Sequence, residues 1–170
     1  LAHAPAEAVR ISAMPTAAET IVPAALTALA VAHPQLRVEM TEAPPEEGLF
    51  ELTARRFDLV IAEQYPGHTR ERHAGNMHEL IGEDPIRLVL PPGERAAPLE
   101  RLRDRAWVME PVGSAARQWA MQQCRAAGFE PDVRFEAADL TAHVRLIEAG
   151  HAVGMLPDLI WGDAAAQVTL

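Results

Sequence analysis

Two short segments of the chain have residue types that suit the binding of a small anion. Each follows an apolar run and precedes a helical pattern, so each predicts a turn between a strand and a helix. The unpaired N–H groups of a first helical turn point away from the carboxyl end of such a strand and favour negative charge. The residues are Met14, Pro15, Thr16 and Ala17 in one segment and Gly113, Ser114 and Ala115 in the other.

Five further side chains are candidates for the same binding site. Arg117 lies one turn into the second helix, where it could pair with an anion, although a solvated surface arginine is the simpler interpretation. Gln64 and Tyr65 mark a crossover between two parts of the chain and are candidates for a hinge or a wall of the site. Glu136 and Asp139 could recognise a hydrogen-bond donor on the ligand, but Asp139 is first of all a candidate helix N-cap.

No pattern in the sequence predicts a metal, a cofactor or catalysis. His68, His73 and His78 recur every five residues, which places them on no single face of a helix or strand, and no known zinc spacing accompanies them. Cys124 lies among apolar residues of a predicted helix and has no resolving cysteine, so we expect a core residue. Nucleophile motifs and phosphate-binding loops are absent from the sequence. We therefore expect a binding protein and not an enzyme.

Composition excludes several classes of protein. The 170 residues carry 15 basic side chains, all arginine, against 24 acidic ones, and the net charge is −9. A nucleic-acid surface normally shows as a basic stripe, so this chain is not expected to hold DNA by itself. The single cysteine suits a reducing compartment. No apolar run approaches the length of a membrane span, so we predict a cytoplasmic protein without membrane contact.

The first candidate turn lies within a predicted strand–helix–strand unit over residues 9–40. Thr16 and Glu19 have capping-box spacing, which predicts that Thr16 caps the helix. Residues 20–32 are apolar almost all the way round, which predicts a helix buried on both sides. Pro23 leaves two alternatives: the helix begins near Thr20 with the proline in its first turn, or it begins at Thr16 and kinks.

The rest of the chain predicts further α/β structure in two lobes. Residues 57–62 predict a strand buried on both faces, preceded by a helix that buries Leu49, Phe50 and Leu52. Residues 77–81 and 86–90 predict the first strands of a second lobe. We place the lobes at 1–63 and 64–167, with 168–170 beginning a return crossover, and expect the ligand crevice between the lobes at the carboxyl ends of the strands.

Four segments in their order resemble the effector-binding, or substrate-binding, domain of LysR-type transcriptional regulators. They read HPQLRVEM, FDLVIA, CRAAGFEP and EAGHAVGMLP, and the resemblance covers nearly the whole chain. It implies a two-lobed α/β fold like the type-2 periplasmic binding proteins, with a small-molecule effector in the cleft between the lobes. It also implies effector contacts at the first strand-to-helix turn, and binding without catalysis.

The resemblance further implies partners and missing parts. The regulators of this family bind DNA through an N-terminal winged helix-turn-helix, which we expect to lie outside this sequence, and we expect the same of the final strand and helix that return to the first lobe. Effector domains of the family pair side by side, with the first helix at the dimer interface, so we expect a homodimer and a higher homo-oligomer of the full-length regulator. The same fold serves solute-binding proteins of transport systems, which remain the alternative.

Overall fold

A computed structural model of the chain consists of two compact α/β units. It describes residues 8–68, 75–162, 166, 168 and 169. The first unit contains the described residues up to 63 together with 75–80, and the second contains residues 64–68 and the described residues from 81 onward. No helix in these described ranges is long and apolar enough to cross a membrane.

The first unit is built on a parallel sheet of three strands. They are β1 (Val9–Ala13), β2 (Val38–Glu42) and β3 (Leu59–Ile61). The central strand is β1, with β2 and β3 at its sides. The alternation of apolar and polar residues predicted β1 and β2 correctly. The ladder continues past the end of β1, because the N–H of Met14 donates to Ile61 and the carbonyl of Ala13 accepts from Ala43.

The first helix is divided in two by Thr20. Helix α1 (Pro15–Glu19) and helix α2 (Ile21–Ala32) meet at this residue, whose φ of −121° and ψ of −61° interrupt the helical conformation. The alternative with Pro23 in the first turn is therefore correct for α2. The predicted capping box is wrong. The N-cap of α1 is Met14, and Thr16 lies inside the helix, so its hydroxyl cannot act as the cap.

Helix α2 is largely exposed, which contradicts its predicted burial on both sides. Thr27 is its only polar residue, yet only Val22 is buried, and Val31 keeps 85% of its surface exposed. The sequence pattern identified an apolar helix correctly. The rest of the described chain leaves most of that helix exposed, and the dimer interface that the resemblance implies for it stays a prediction.

Two further burial predictions in the first unit are wrong. Helix α3 (Pro45–Thr53) packs through Pro45 and Gly48, with Leu49 and Leu52 only half-buried and Phe50 70% exposed. A Cβ at Gly48 would lie 2.7 Å from the hydroxyl of Ser12, so the close approach of helix and strand requires glycine there. The strand β3 is only half-buried, because it forms an edge of the sheet and not its centre.

The strand predicted over residues 77–81 is also wrong. These residues form no helix or strand, and Met77, Leu80 and Ile81 are exposed. Regular structure resumes with the second unit. Its strands are β4 (Ile86–Val89), β5 (Ala106–Met109), β6 (Asp132–Glu136) and β7 (Gly154–Pro157). Its helices are α4 (Ala115–Ala126), α5 (Leu140–Glu148) and two short 3-10 helices, Leu99–Leu102 and Asp158–Trp161.

The strands of the second unit pair as β5 with β6 in parallel and β4 with β7 in antiparallel. Alternate residues of β5 enter two different apolar clusters. Trp107 and Met109 pack with residues of α4 that include Cys124, whereas Val108 packs with Ile147 of α5. This alternation is the two-residue period of a strand with a helix on each side. Because α4 follows β5 and α5 follows β6 along the chain, the first turns of these helices lie near the carboxyl ends of the two strands.

Candidate functional site

The first strand-to-helix turn belongs to the first unit and is mostly buried. Met14 and Thr16 retain only small exposed fractions, Ala17 is fully buried, and Pro15 is exposed. The backbone carbonyl of Thr16 accepts from both the N–H and the hydroxyl of Thr20. The hydroxyl of Thr16 itself makes no hydrogen bond with the described residues, so it retains its full capacity to donate and accept.

The second strand-to-helix turn belongs to the second unit and is held by its own side chains. The N–H of Ser114 donates to the carbonyl of Pro111 at 3.1 Å, and Gly113 adopts the left-handed φ of 100° that this turn requires. The hydroxyl of Ser114 accepts from the N–H of Arg117 at 3.1 Å, which makes Ser114 the N-cap of α4. The first-turn N–H groups of Ala115 and Ala116 are left unpaired by the helix itself.

Arg117 is not the solvated surface arginine that we expected. Its side chain is only 17% exposed and pairs with the half-exposed carboxylate of Glu136, where Nη1 lies 2.9 Å from Oε2. The same nitrogen donates to the backbone carbonyl of Glu110 at 3.1 Å. The strands β5 and β6 are parallel, so Glu110 and Glu136 lie at the same edge of the sheet, and Arg117 reaches that edge from α4. Arg117 and Glu136 were separate candidates from the sequence, which predicted neither their pairing nor the part played by Glu110.

Asp139 serves as the N-cap of α5, as its simpler interpretation predicted. Its Oδ1 accepts from the N–H of Thr141 at 2.7 Å. Of the two acidic candidates, Glu136 therefore lies against Arg117, whereas Asp139 is engaged in holding the start of a helix.

The two crossover candidates, Gln64 and Tyr65, differ in their surroundings. The ring of Tyr65 lies 5.9 Å from the ring of Trp119 on α4, at an angle of 43°. Gln64 is exposed. The aromatic contact lies within the second unit, so Tyr65 ties the crossover to that unit.

His143 was not selected from the sequence, yet it lies beside the Arg117 pair. It is 2% exposed, and its Nε2 lies 2.8 Å from the carbonyl of Ala137. A carbonyl can only accept, so Nε2 carries the hydrogen and Nδ1 of the neutral ring is an acceptor. Nδ1 is buried without a partner among the described residues. The available signal was a histidine on the apolar stripe of α5, between Leu140 and Ile147.

Burial lowers the pKa of His143, against the opposing effects of the Ala137 hydrogen bond and the charge of Asp139. The ring also lines a cavity of about 20 Å³ together with Glu110 and Arg117. Such a volume holds roughly one water molecule.

The other histidines and the cysteine do not form a site in the described ranges. Cys124 is fully buried, as predicted, and burial with the nearby charge of Glu130 raises the pKa of its thiol to about 11. His73 lies outside the described residues. Within the ranges that the structure describes, no three His, Cys, Asp or Glu side chains are grouped closely enough to hold a metal ion.

Comparison with known proteins decides the family. The model of the LysR substrate binding domain matches residues 2–170. The chain belongs to this family. The LysR-type domain is 35% identical over 69 residues to the transcriptional dual regulator GltC of Bacillus subtilis strain 168. That alignment covers 41% of this chain and 23% of GltC.

Solved structures show the same fold for the LysR-type domain. The CcmR regulatory domain of Synechocystis PCC6803 in complex with 2-PG has a TM-score of 0.77 at 18% identity, over 95% of this chain and 78% of that one. Full-length CbnR complexed with target DNA has a TM-score of 0.73 at 20% identity, over 95% of this chain and 57% of that one. The fold is the predicted two-lobed α/β fold. A transport receptor, the alternative from the sequence, is not favoured, since the family is one of transcriptional regulators.

Proposed function

We propose that this domain senses a small-molecule effector for a LysR-type regulator and transmits its binding to a DNA-binding domain elsewhere in the full-length protein. The observation that carries the proposal is the match of the family model to residues 2–170. The neighbours support it: CcmR is bound to 2-PG, and CbnR is complexed with DNA. A DNA-binding regulator acts in the compartment that contains the DNA, so we further propose that the full-length protein is cytoplasmic.

We propose effector contacts at each of the two strand-to-helix turns. We take the two compact units as the two lobes and propose that Thr16 contributes from the first and that Ser114, Ala115 and Arg117 contribute from the second. The unengaged hydroxyl of Thr16 and the first-turn N–H groups of α4 support this assignment, since both suit a polar ligand such as a carboxylate. Gln64 and Tyr65 then lie in the proposed hinge.

We further propose that the domain pairs through α2. The helix is apolar except for Thr27, and most of it is exposed in the single chain. Leu36, two residues before β2, and Met40, within β2, are exposed as well. An apolar face of this kind marks a surface that another molecule covers, and a second copy of this domain is the partner that we propose.

The experiment that tests the effector site is a thermal-shift screen of small carboxylates and aromatic acids. A ligand at 100 times its Kd stabilises the folded domain by about 2.7 kcal/mol, which is readily measured as a rise in Tm. Thr16→Val removes one hydroxyl that makes no described hydrogen bond, so we expect it to reduce the rise in Tm while leaving the Tm of the free domain almost unchanged.

Thr53→Val is the matched control for this substitution. Its hydroxyl donates within α3 to the carbonyl of Leu49, away from the proposed site. The control should keep the full response to the ligand. An equal response of wild type and Thr16→Val would exclude Thr16 from the site, and a screen without any stabilising ligand would count against the effector function itself.

A further inference from the structure

The acidic and basic groups at one edge of the second unit indicate which effectors the domain selects. Glu110 follows β5, Glu136 ends β6, and Arg117 reaches the same edge from α4. A simple anion site would present a free cation there. This edge instead presents a guanidinium that is already paired with the half-exposed carboxylate of Glu136.

The guanidinium is already committed to the protein. The Nη1 atom of Arg117 donates to both Glu136 and the carbonyl of Glu110, and the side chain is mostly buried. Its other nitrogens, Nε and Nη2, make no hydrogen bond with the described residues. A ligand carboxylate can therefore reach one edge of Arg117, but it meets a charge that Glu136 has largely neutralised.

Two acceptors beside Arg117 also retain hydrogen-bonding capacity. The carboxylate of Glu136 is 51% exposed and has only Oε2 engaged with Arg117. The Nδ1 of His143 is a buried acceptor without a described partner, and its ring lines the cavity that Glu110 and Arg117 share. A buried acceptor of this kind requires an N–H or O–H donor, and the cavity has room for one water molecule that could supply it.

We infer that this edge selects effectors that carry a hydroxyl or ammonium group beside a single carboxylate over effectors that carry the carboxylate alone. The carboxylate binds the N–H groups of Ala115 and Ala116 and the open edge of Arg117. The hydroxyl or ammonium group donates to Glu136. This inference rests on the proposed effector function and adds the chemical class of the ligand, with Glu136 as the residue that determines specificity.

Three acids of equal carbon number test the inference: propionate, lactate and alanine. They differ only in the hydrogen, hydroxyl or ammonium at the carbon next to the carboxylate. Each is titrated into the isotope-labelled 170-residue chain while the amide resonances of residues 114–117 and 136 are followed by NMR. We expect lactate and alanine to bind about tenfold more tightly than propionate, as a hydrogen bond to a charged acceptor would produce.

Glu136→Gln provides the decisive variant. It removes the negative charge and releases Arg117, so propionate should bind more tightly than to wild type and the preference for lactate and alanine should fall towards equality. Glu130→Gln is the matched control, because Glu130 forms the same kind of pair with Arg125 at the far end of α4. It should keep the wild-type preference.

The possible outcomes separate this inference from the function on which it rests. Equal binding of the three acids by wild type, or a preference that survives in Glu136→Gln, overturns the role of Glu136 while leaving an effector site at this edge. No perturbation of residues 114–117 by any of the acids overturns the inferred ligand class. The effector function would then be judged by the thermal-shift screen alone.

Discussion

The two strand-to-helix turns occupy corresponding places in their units but are held in different ways. In the first unit, α1 has five residues, no side-chain cap and a break at Thr20 immediately after it. In the second unit, Ser114 caps the long helix α4, and Arg117 is held by Glu136. The second turn is therefore organised by its own side chains, whereas the first is positioned by backbone hydrogen bonds to the neighbouring strands.

The same contrast extends to the cores. The second unit buries large side chains on both sides of β5, among them Trp107, Ile147 and Leu156. The described part of the first unit buries mainly small residues of β1 and α1, such as Ala13 and Ala17, and leaves α2 exposed. From this difference we infer that the second unit contributes most to the stability of the single chain, and that the first unit gains stability from a partner.

The largest expected effect is the difference in stability lost when a large side chain is truncated in one unit or in the other. Trp107→Ala removes a fully buried ring in the second unit and should lower the free energy of unfolding by about 3–5 kcal/mol. Phe50→Ala in the first unit removes an exposed ring and should cost less than about 0.5 kcal/mol. Urea denaturation measures both. Similar losses for the two variants would contradict the proposed difference between the units.

A charge on α2 tests whether a partner covers the first unit. Val31→Glu places a carboxylate on the exposed apolar face and should raise the Kd of the dimer by about tenfold or more, which corresponds to roughly 1.4 kcal/mol. Sedimentation equilibrium measures this Kd. Phe50→Glu introduces the same charge at an exposed apolar residue of α3 and should leave the Kd nearly unchanged. Unaltered association of Val31→Glu would exclude this part of α2 from the interface.

The smallest expected effect is a dependence of stability on pH through His143. Burial lowers its pKa in the folded domain below the ordinary value of 6.5, so the unfolded chain binds this proton more readily. Stability should therefore fall as the pH decreases below about 6.5, by at most about 1.4 kcal/mol per pH unit for one proton. Comparing His143→Gln with wild type isolates this contribution. Parallel curves for the two proteins would show that His143 does not titrate as inferred.

Local signals predicted much of the fold correctly. Alternating apolar residues indicated β1 and β2, and Asp139 was predicted as the cap at which α5 begins. These features depend on residues close together in the chain. The capping box at Thr16 failed because the helix begins at Pro15, two residues earlier than a cap at Thr16 would place it, and a proline without an N–H group is favoured at this position.

Predictions that depended on distant neighbours were less reliable. Apolar runs at α2 and β3 predicted full burial, but burial requires another element to cover each surface, and composition does not reveal whether this chain supplies it. Gln64, Glu136 and Arg117 were all selected as site candidates, yet nothing in their spacing predicted that Arg117 pairs with Glu136.

By itself, the sequence determined the alternation of strands and helices, the resemblance to LysR-type regulators and the two turns proposed to bind an effector. Each depends on a short pattern whose physical effect is local. Only the tertiary structure decided that Arg117 is paired with Glu136, that His143 is a buried acceptor beside them, and that α2 lies exposed. Those properties arise when parallel strands bring residues far apart in the chain to one edge, where charge and burial depend on the neighbours that meet there.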